Sequence, residues 1–409
     1  MNKLKQNKPE LLAPAGNLEK LRWACAHGAD AVYFGLEFGS LRNFAGNFML
    51  DEAEQGLKEL HGKGKKGYAT LNIYPFTEET DRLIETACQL DEMKADGLII
   101  SDLGLVYELK KRKLKAAIHI STQANTTSAQ AATAWKELGA SRVNLARELS
   151  LDQITEIQQQ LNGSPETEVF IHGAVCFSYS GRCAISDYMT GYRANRGECK
   201  HPCRYQYRLV EEKRPGKYMP VFEDERGLYL FNSKDLALFE FVPRLAEIGV
   251  RSLKIEGRMK SIHYIATVAS LYRRILDGES VSAENALKWL GRTPNRGYTA
   301  GFIKGTFGPD DYAWDQSVSQ GTSRFVANVE QSRPDGCILR VRNIINAGDI
   351  LEILEPGKTP YNLTMPNPLK SPTGKILETA RNDQYICLST SLPEYTILRR
   401  VNTDNGTTT

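Results

Sequence analysis

Eight short aliphatic or β-branched runs recur along the first two thirds of the chain, and amphipathic stretches separate most of them. The runs lie at 10–13, 31–34, 67–72, 97–101, 117–120, 142–145, 168–172 and 252–256. Helical periodicity falls between them at 17–27, 51–63, 78–93, 102–113, 126–139 and 150–160. Such alternation predicts parallel strands joined by right-handed helical crossovers. Eight is the number that closes a (β/α)8 barrel of the TIM type. An open doubly wound sheet shares the alternation, and periodicity alone does not exclude it; the count favours the barrel.

The alternation breaks once. After the seventh run, ending at His172, about sixty residues pass before helical pattern resumes near Ser233, and a loop of that length is normally functional or a small subdomain. On the barrel reading it lies at the C-terminal face, where active sites sit. Beyond Arg274 the pattern changes again. Residues 281–322 read as a linker and lid, and 323–402 as short alternating strands punctuated by turns at 346–349 and 372–374. That spacing predicts a small C-terminal antiparallel β-barrel. The expected organisation is therefore a barrel domain over 1–280 with a cysteine-rich insert at about 173–232. The lid and the second barrel follow, and 403–409 form a disordered tail.

Charge and composition exclude other classes. Lys and Arg number 52 against 49 Asp and Glu, and hydrophobic residues make up 41%, which is ordinary globular usage and neither disordered nor fibrous. No apolar run has the length that spans a bilayer, and the basic start Met1–Lys8 lacks an apolar segment behind it. A cytoplasmic, reducing address is the expectation.

In that compartment clustered cysteines bind metal or do chemistry more often than they pair. Cys25, Cys88, Cys337 and Cys387 are scattered and read as small buried hydrophobes. Cys176, Cys183, Cys199 and Cys203 fall in one 28-residue window. Four soft thiolates suit an iron–sulfur cluster or tetrahedral zinc. Structural zinc draws on two tight knuckles, and here only the second pair is tight. Around them lie Arg182, Arg193, Arg196, Lys200, Arg204 and Arg208 against Asp187 and Glu198, interleaved with Tyr179, Tyr188, Tyr192, Tyr205 and Tyr207. Cations for phosphates and flat rings for unstacked bases are what single-stranded RNA recognition needs. A solvated basic loop balancing a cluster's charge is the competing reading.

The segment 171–186, with His172-Gly173-Ala174-Val175-Cys176 and Ser180-Gly181-Arg182-Cys183 inside it, resembles the signature of peptidase family U thirty-two, the collagenase-like proteins. So do 195–199, 202–204, 232–236 and 253–258, and at the N-terminus 12–17 and 28–35. The resemblance covers nearly the whole chain. It implies a barrel-like catalytic domain and, in the hydroxylating members, a [4Fe–4S] cluster. Cys176, Cys183 and Cys199 match the first three ligands. Some members supply the fourth just after Lys-Asp-Leu, where this chain has Ala237, so Cys203 takes that place. Asn232–Leu236 and 295–302 resemble the branch that makes 5-hydroxyuridine at the tRNA wobble position, independently of oxygen and with prephenate as co-substrate. Related branches hydroxylate rRNA or ubiquinone, and a paralogous member is a conceivable partner.

On the barrel model Asn72, His119, Gln123, Asn144, Arg147, His172, Glu256 and Arg258 converge on one mouth. Arg42, Arg147 and Arg258 are candidates for a dicarboxylate, since guanidinium forks match carboxylates, and Lys260 joins them as a substrate-binding cation. Glu256, His172 and His119 are candidates to move protons. Tyr179, Arg182, Tyr192, Arg193, Arg196 and Arg204 are candidates for RNA. Each has a plain alternative: Glu256 as the ion-pair partner of Arg258, each His as a satisfied core donor. A peptidase would need its own machinery, and neither a Gly-x-Ser-x-Gly elbow nor a His-Glu-x-x-His helix is present. A non-catalytic RNA-binding protein with a structural metal is the third reading.

Overall fold

The computed structural model describes residues 8–41, 46–176, 180–183, 185–204, 209–210, 218–219, 222–224, 227–229, 233–305, 311 and 319–402, with backbone alone at 204 and between 209 and 229. The eight runs are strands β1 (Glu10–Ala15), β2 (Ala31–Gly35), β3 (Lys66–Leu71), β4 (Gly97–Ile100), β5 (Ala117–Ile120), β6 (Arg142–Asn144), β7 (Glu166–Gly173) and β8 (Ser252–Ile255). Each pairs in parallel with the next, and β8 pairs with both β7 and β1. The sheet thus closes on itself as a (β/α)8 barrel, and the open-sheet alternative is set aside. β2 and β4 are buried at every position, as parallel strands covered on both faces must be.

The intervening helices start where side chains satisfy their first backbone amides. Ser150 Oγ accepts from Gln153 N (3.2 Å) while Gln153 Oε1 accepts from Ser150 N (2.8 Å), opening the helix Leu151–Leu161. Asp102 Oδ1 accepts from Leu105 N at 2.7 Å to open Leu103–Arg112. That helix ends in Lys110, Lys111 and Arg112, where cations complement the helix dipole.

The chain groups into two compact units: Met1–Cys25, Ala29–Lys260 and Arg296–Ser319 in one, Ala26–Gly28, Ser261–Asn295 and Gln320–Thr409 in the other. The barrel strands belong to the first, with two additions. Asp235–Ala237 pairs antiparallel with the end of β7, and Tyr298–Thr299 pairs with it in turn. The second unit holds the helices Ile262–Leu276 and Ala283–Leu290. The latter lies where linker and lid were expected. Ser282 caps it, and Trp289 Nε1 donates to the Thr267 carbonyl at 2.8 Å. The predicted second barrel is an antiparallel half-barrel sheet. Its eight strands run in the order 361–364, 350–354, 397–401, 323–333, 336–341, 385–388, 369–370, 376–377. Val326, Leu339, Leu351, Ile353, Ile386 and Leu398 form its core. No helix among the described residues is long and apolar enough to cross a membrane.

Candidate functional site

TIM barrels usually fill their interior with branched aliphatics; this one carries charge there. Arg142, 5% exposed, bonds Glu10 Oε1 (2.7 Å) and Glu166 Oε2 (2.8 Å) and lies 3.7 Å from Glu168 Oε2. Tyr68 donates to Glu10 Oε2 at 2.7 Å. One layer higher, Lys254 Nζ and Asn144 Nδ2 both donate to Glu168 Oε1, at 2.8 and 2.9 Å. Burial alone would raise the Glu168 carboxyl, but Lys254 and Arg142 bring it below its ordinary value.

Above this floor, at the C-terminal ends of the strands, is a cavity of about 410 Å³, within the range of small-molecule sites. Arg258 enters from beyond β8 and donates from Nη1 to Thr70 Oγ1 at 3.0 Å. It lies so close to β2 that a Cβ at position 35 would stand 1.7 Å from Nη1, so the guanidinium keeps this place only against a glycine. Tyr33 donates to Glu256 Oε2 at 3.1 Å. Arg147 stacks on the Phe170 ring (4.0 Å) and donates to the Ala174 carbonyl (3.0 Å), while its buried Nε finds no acceptor among the described residues.

The cysteine-bearing segment closes over this floor. Gly181, at φ +73°, sits where a Cβ would stand 2.0 Å from the Gln123 carbonyl oxygen, so the close approach requires glycine. Ser180 N donates to Glu148 Oε1 at 2.9 Å. Further along, Arg196 pairs with Glu79, donates to the Tyr74 carbonyl (3.1 Å) and covers the Phe76 ring (4.1 Å). Cys176, Cys183, Cys199 and Cys203 all line the cavity, and none is in a disulfide. The Cys199 sulfur accepts from His201 N at 3.4 Å. Among the described residues no three His, Cys, Asp or Glu side chains are grouped closely enough to hold a metal ion.

Of the residues nominated from sequence, Asn72, Gln123, Asn144, Arg147, Glu256, Arg258 and the four cysteines line this one cavity. His119 does not. Its ring packs edge-on against Tyr68 at 4.7 Å in the lower interior, and burial lowers its pKa to about 3. Inward positions recur every second residue, so Ser121 takes the place at the mouth. His172 is also outside the cavity, near the Tyr298 ring (5.6 Å), with its pKa lowered by burial to about 3. The β7–β8 register shifts here: Lys254 pairs with Phe170 and Ile255 with His172. Such a bulge reverses the alternation, so Phe170 faces inward and His172 does not. Lys260 lies beyond the rim, its amide bonded to the Gly257 carbonyl at 2.9 Å. Among the RNA candidates Arg182, Tyr192 and Arg193 are exposed, whereas Arg196 is engaged by Glu79 and serves as a strap. Arg42, Tyr179 and the Arg204 side chain lie outside the described residues. Sequence reasoning missed Lys254, Tyr33 and Ser121; the first two are legible only as inward positions of strands whose closure is known.

The model of Peptidase family U32 matches residues 16–311, and that of the Peptidase family U32 C-terminal domain matches 321–399. A relative from Escherichia coli named tRNA hydroxylation protein P is 36% identical over 92% of each chain. The 23S rRNA 5-hydroxycytidine C2501 synthase of the same organism is 37% identical over 66% of this chain and 39% of its own length. A Porphyromonas gingivalis protein named Collagenase is 31% identical over 72% of this chain and 73% of its own. Family matches to both parts of the chain, together with relatives alike over most of its length, establish that this protein belongs to peptidase family U32.

Proposed function

We propose that this protein hydroxylates C5 of a uridine in tRNA, using prephenate as co-substrate and a [4Fe–4S] cluster held by Cys176, Cys183, Cys199 and Cys203. The observation that carries the reading is that four cysteines outside any disulfide and two fixed guanidinium groups, Arg147 and Arg258, line one cavity. It agrees with the name of the relative alike over 92% of both chains. The donor set fits the cluster: a [4Fe–4S] centre takes one thiolate per iron, so its four ligands border a volume instead of meeting at a point. When bound, the cluster supplies irons able to exchange single electrons or polarise an oxygen donor.

The chain's own residues bind and orient. Arg258, fixed by Thr70 and the bare backbone of Gly35, and Arg147, stacked on Phe170, are the partners for two carboxylates. Glu256, oriented by the Tyr33 hydroxyl, is the carboxylate within the cavity assigned to move a proton. His172 leaves that role because it stands outside the cavity. Ser180, in the same loop, contacts Glu148 and Thr122 and, among the described residues, no histidine, an arrangement unlike an activated peptidase serine.

The test is mass spectrometry of tRNA nucleosides from cells with and without the gene. Loss of 5-hydroxyuridine derivatives, restored by the wild-type chain and not by Cys176→Ala, is expected. An unchanged nucleoside profile refutes the assignment.

A further inference from the structure

Asn144 ends β6 in register with Glu168 on β7, and Lys254 on β8 lies in register with Phe170. Asn144, Glu168 and Lys254 are nearly fully buried, at 2%, 2% and 3% exposed. Glu168 Oε1 accepts from both Asn144 Nδ2 and Lys254 Nζ, while Oε2 accepts from Ser252 Oγ at 3.0 Å. An ionised carboxylate only accepts, so it fixes which way the Asn144 amide points. The NH2 group faces Glu168 and the carbonyl oxygen faces away from it. That Oδ1 is buried and meets no donor among the described residues. An unmet buried acceptor is costly, and Asn144 and Lys254 both line the cavity. The Lys254 ammonium stands 4.5 Å from the Tyr33 ring centre and 5.3 Å from that of Phe170, so two aromatic rings lie against it.

We infer that Asn144 and Lys254 read the hydrogen-bonding edge of the target base, Asn144 Oδ1 accepting from a ring imide N–H and Lys254 donating to the neighbouring carbonyl oxygen. Uracil offers that donor and acceptor side by side at N3 and O4. Cytosine offers the reverse, a ring lone pair and an amino group, so acceptor would meet acceptor and donor would meet donor. The pair is a specificity device for uridine over cytidine, and it deepens the nucleoside-hydroxylation reading, on which it rests. The family needs such a device, since one relative is named for a cytidine product.

The test uses the full-length, anaerobically purified protein and three anticodon stem-loops that differ only at the target base: uridine, cytidine or N3-methyluridine. Binding is followed by fluorescence anisotropy. The wild-type protein is expected to prefer uridine over the other two by about tenfold or more. In Asn144→Ala the preference falls to near unity, because affinity for the uridine loop falls while affinity for the cytidine loop, freed of the facing acceptor, does not. Equal wild-type affinity for uridine and N3-methyluridine overturns the inference without reliance on any variant. So does an Asn144→Ala protein that keeps the preference and instead shows a raised KM for prephenate. Hydroxylation of the uridine loop is scored separately by mass spectrometry. A base preference without hydroxylation refutes the proposed reaction and leaves the recognition pair standing, whereas hydroxylation without preference refutes the pair alone.

Discussion

Replacing Gly35 by alanine tests the substrate cradle without touching a functional group. Its backbone is not in the left-handed region, so alanine brings no local strain of that kind. The added Cβ would lie 1.7 Å from Arg258 Nη1 and 2.7 Å from Ser40 Oγ. The guanidinium must retreat by about 1.3 Å to reach the 3.0 Å that real Cβ contacts respect, which breaks its 3.0 Å bond to Thr70 Oγ1. Losing a hydrogen bond to a charged group costs about 1.5–3 kcal/mol, and a misplacement near 1 Å of a positioning group costs about a hundredfold in rate. We therefore expect kcat/KM for prephenate to fall by roughly 30- to 100-fold, carried mainly by KM, with stem-loop affinity little changed. Arg258→Ala sets the limiting loss. Overpacking also lowers stability by about 1–3 kcal/mol, measurable by thermal denaturation. The control is Gly62→Ala, on a helix with open space around the position, which stabilises by up to about 1 kcal/mol. Anaerobic steady-state hydroxylation at varied prephenate decides the matter. A Gly35→Ala protein within about threefold of wild type in kcat/KM, or one that loses tRNA affinity as much as prephenate use, refutes the placement of Arg258.

Cys176→Ala is expected to lose both the iron and the brown colour of anaerobically purified protein, and full iron retention on elemental analysis would remove Cys176 from the ligand set. Arg196→Ala should release the cysteine-bearing segment from the helix Thr77–Glu92, read as faster proteolysis within 185–204; an unchanged cleavage rate would show that the strap is dispensable. The hydrogen bond from Arg196 holds the Glu79 carboxyl below its ordinary value, so the strap is complete above the ordinary carboxylate pKa and is lost as pH falls through the depressed folded value. Wild-type cleavage should therefore accelerate in acid, and Glu79→Gln should flatten that dependence. In the second unit Glu352 accepts from Arg399 (2.6 Å) and Arg292 (2.9 Å), and Arg399 is 1% exposed. Glu352→Gln leaves two buried cations short of their counter-charge and should cost about 3 kcal/mol, seen as faster amide exchange in Ile350–Leu354 and Ile397–Val401. Exchange at the wild-type rate would mean that the cluster is not a stability element.

The barrel was legible because each strand is short, apolar and bounded by a helix of clear period, so that even the ends agree within a residue or two. Residues 117–120 are a strand as read, and 67–72 becomes Lys66–Leu71. The four cysteines were legible as a set because they fall so close together in sequence, and all four line the one cavity. Side-chain direction was less legible. His119 and His172 both stand near strand ends, yet one belongs to a lower layer of the interior and the other is turned away by a bulge that no composition signal marks. Conversely Lys254, a charge inside an apolar run, reads as an anomaly until closure of the sheet puts it beside Glu168 and Asn144. Periodicity determines which residues share a face; which face becomes a cavity depends on the register of neighbouring strands. That register is fixed by contacts some 20 to 240 residues apart, such as Asn144–Glu168 and Glu10–Ser252. A local reading of the chain therefore nominates functional residues well near glycine-rich loops, where the chemistry and the turn share one motif. It nominates them poorly inside the barrel, where the residues that select a substrate look, in sequence, like misplaced core.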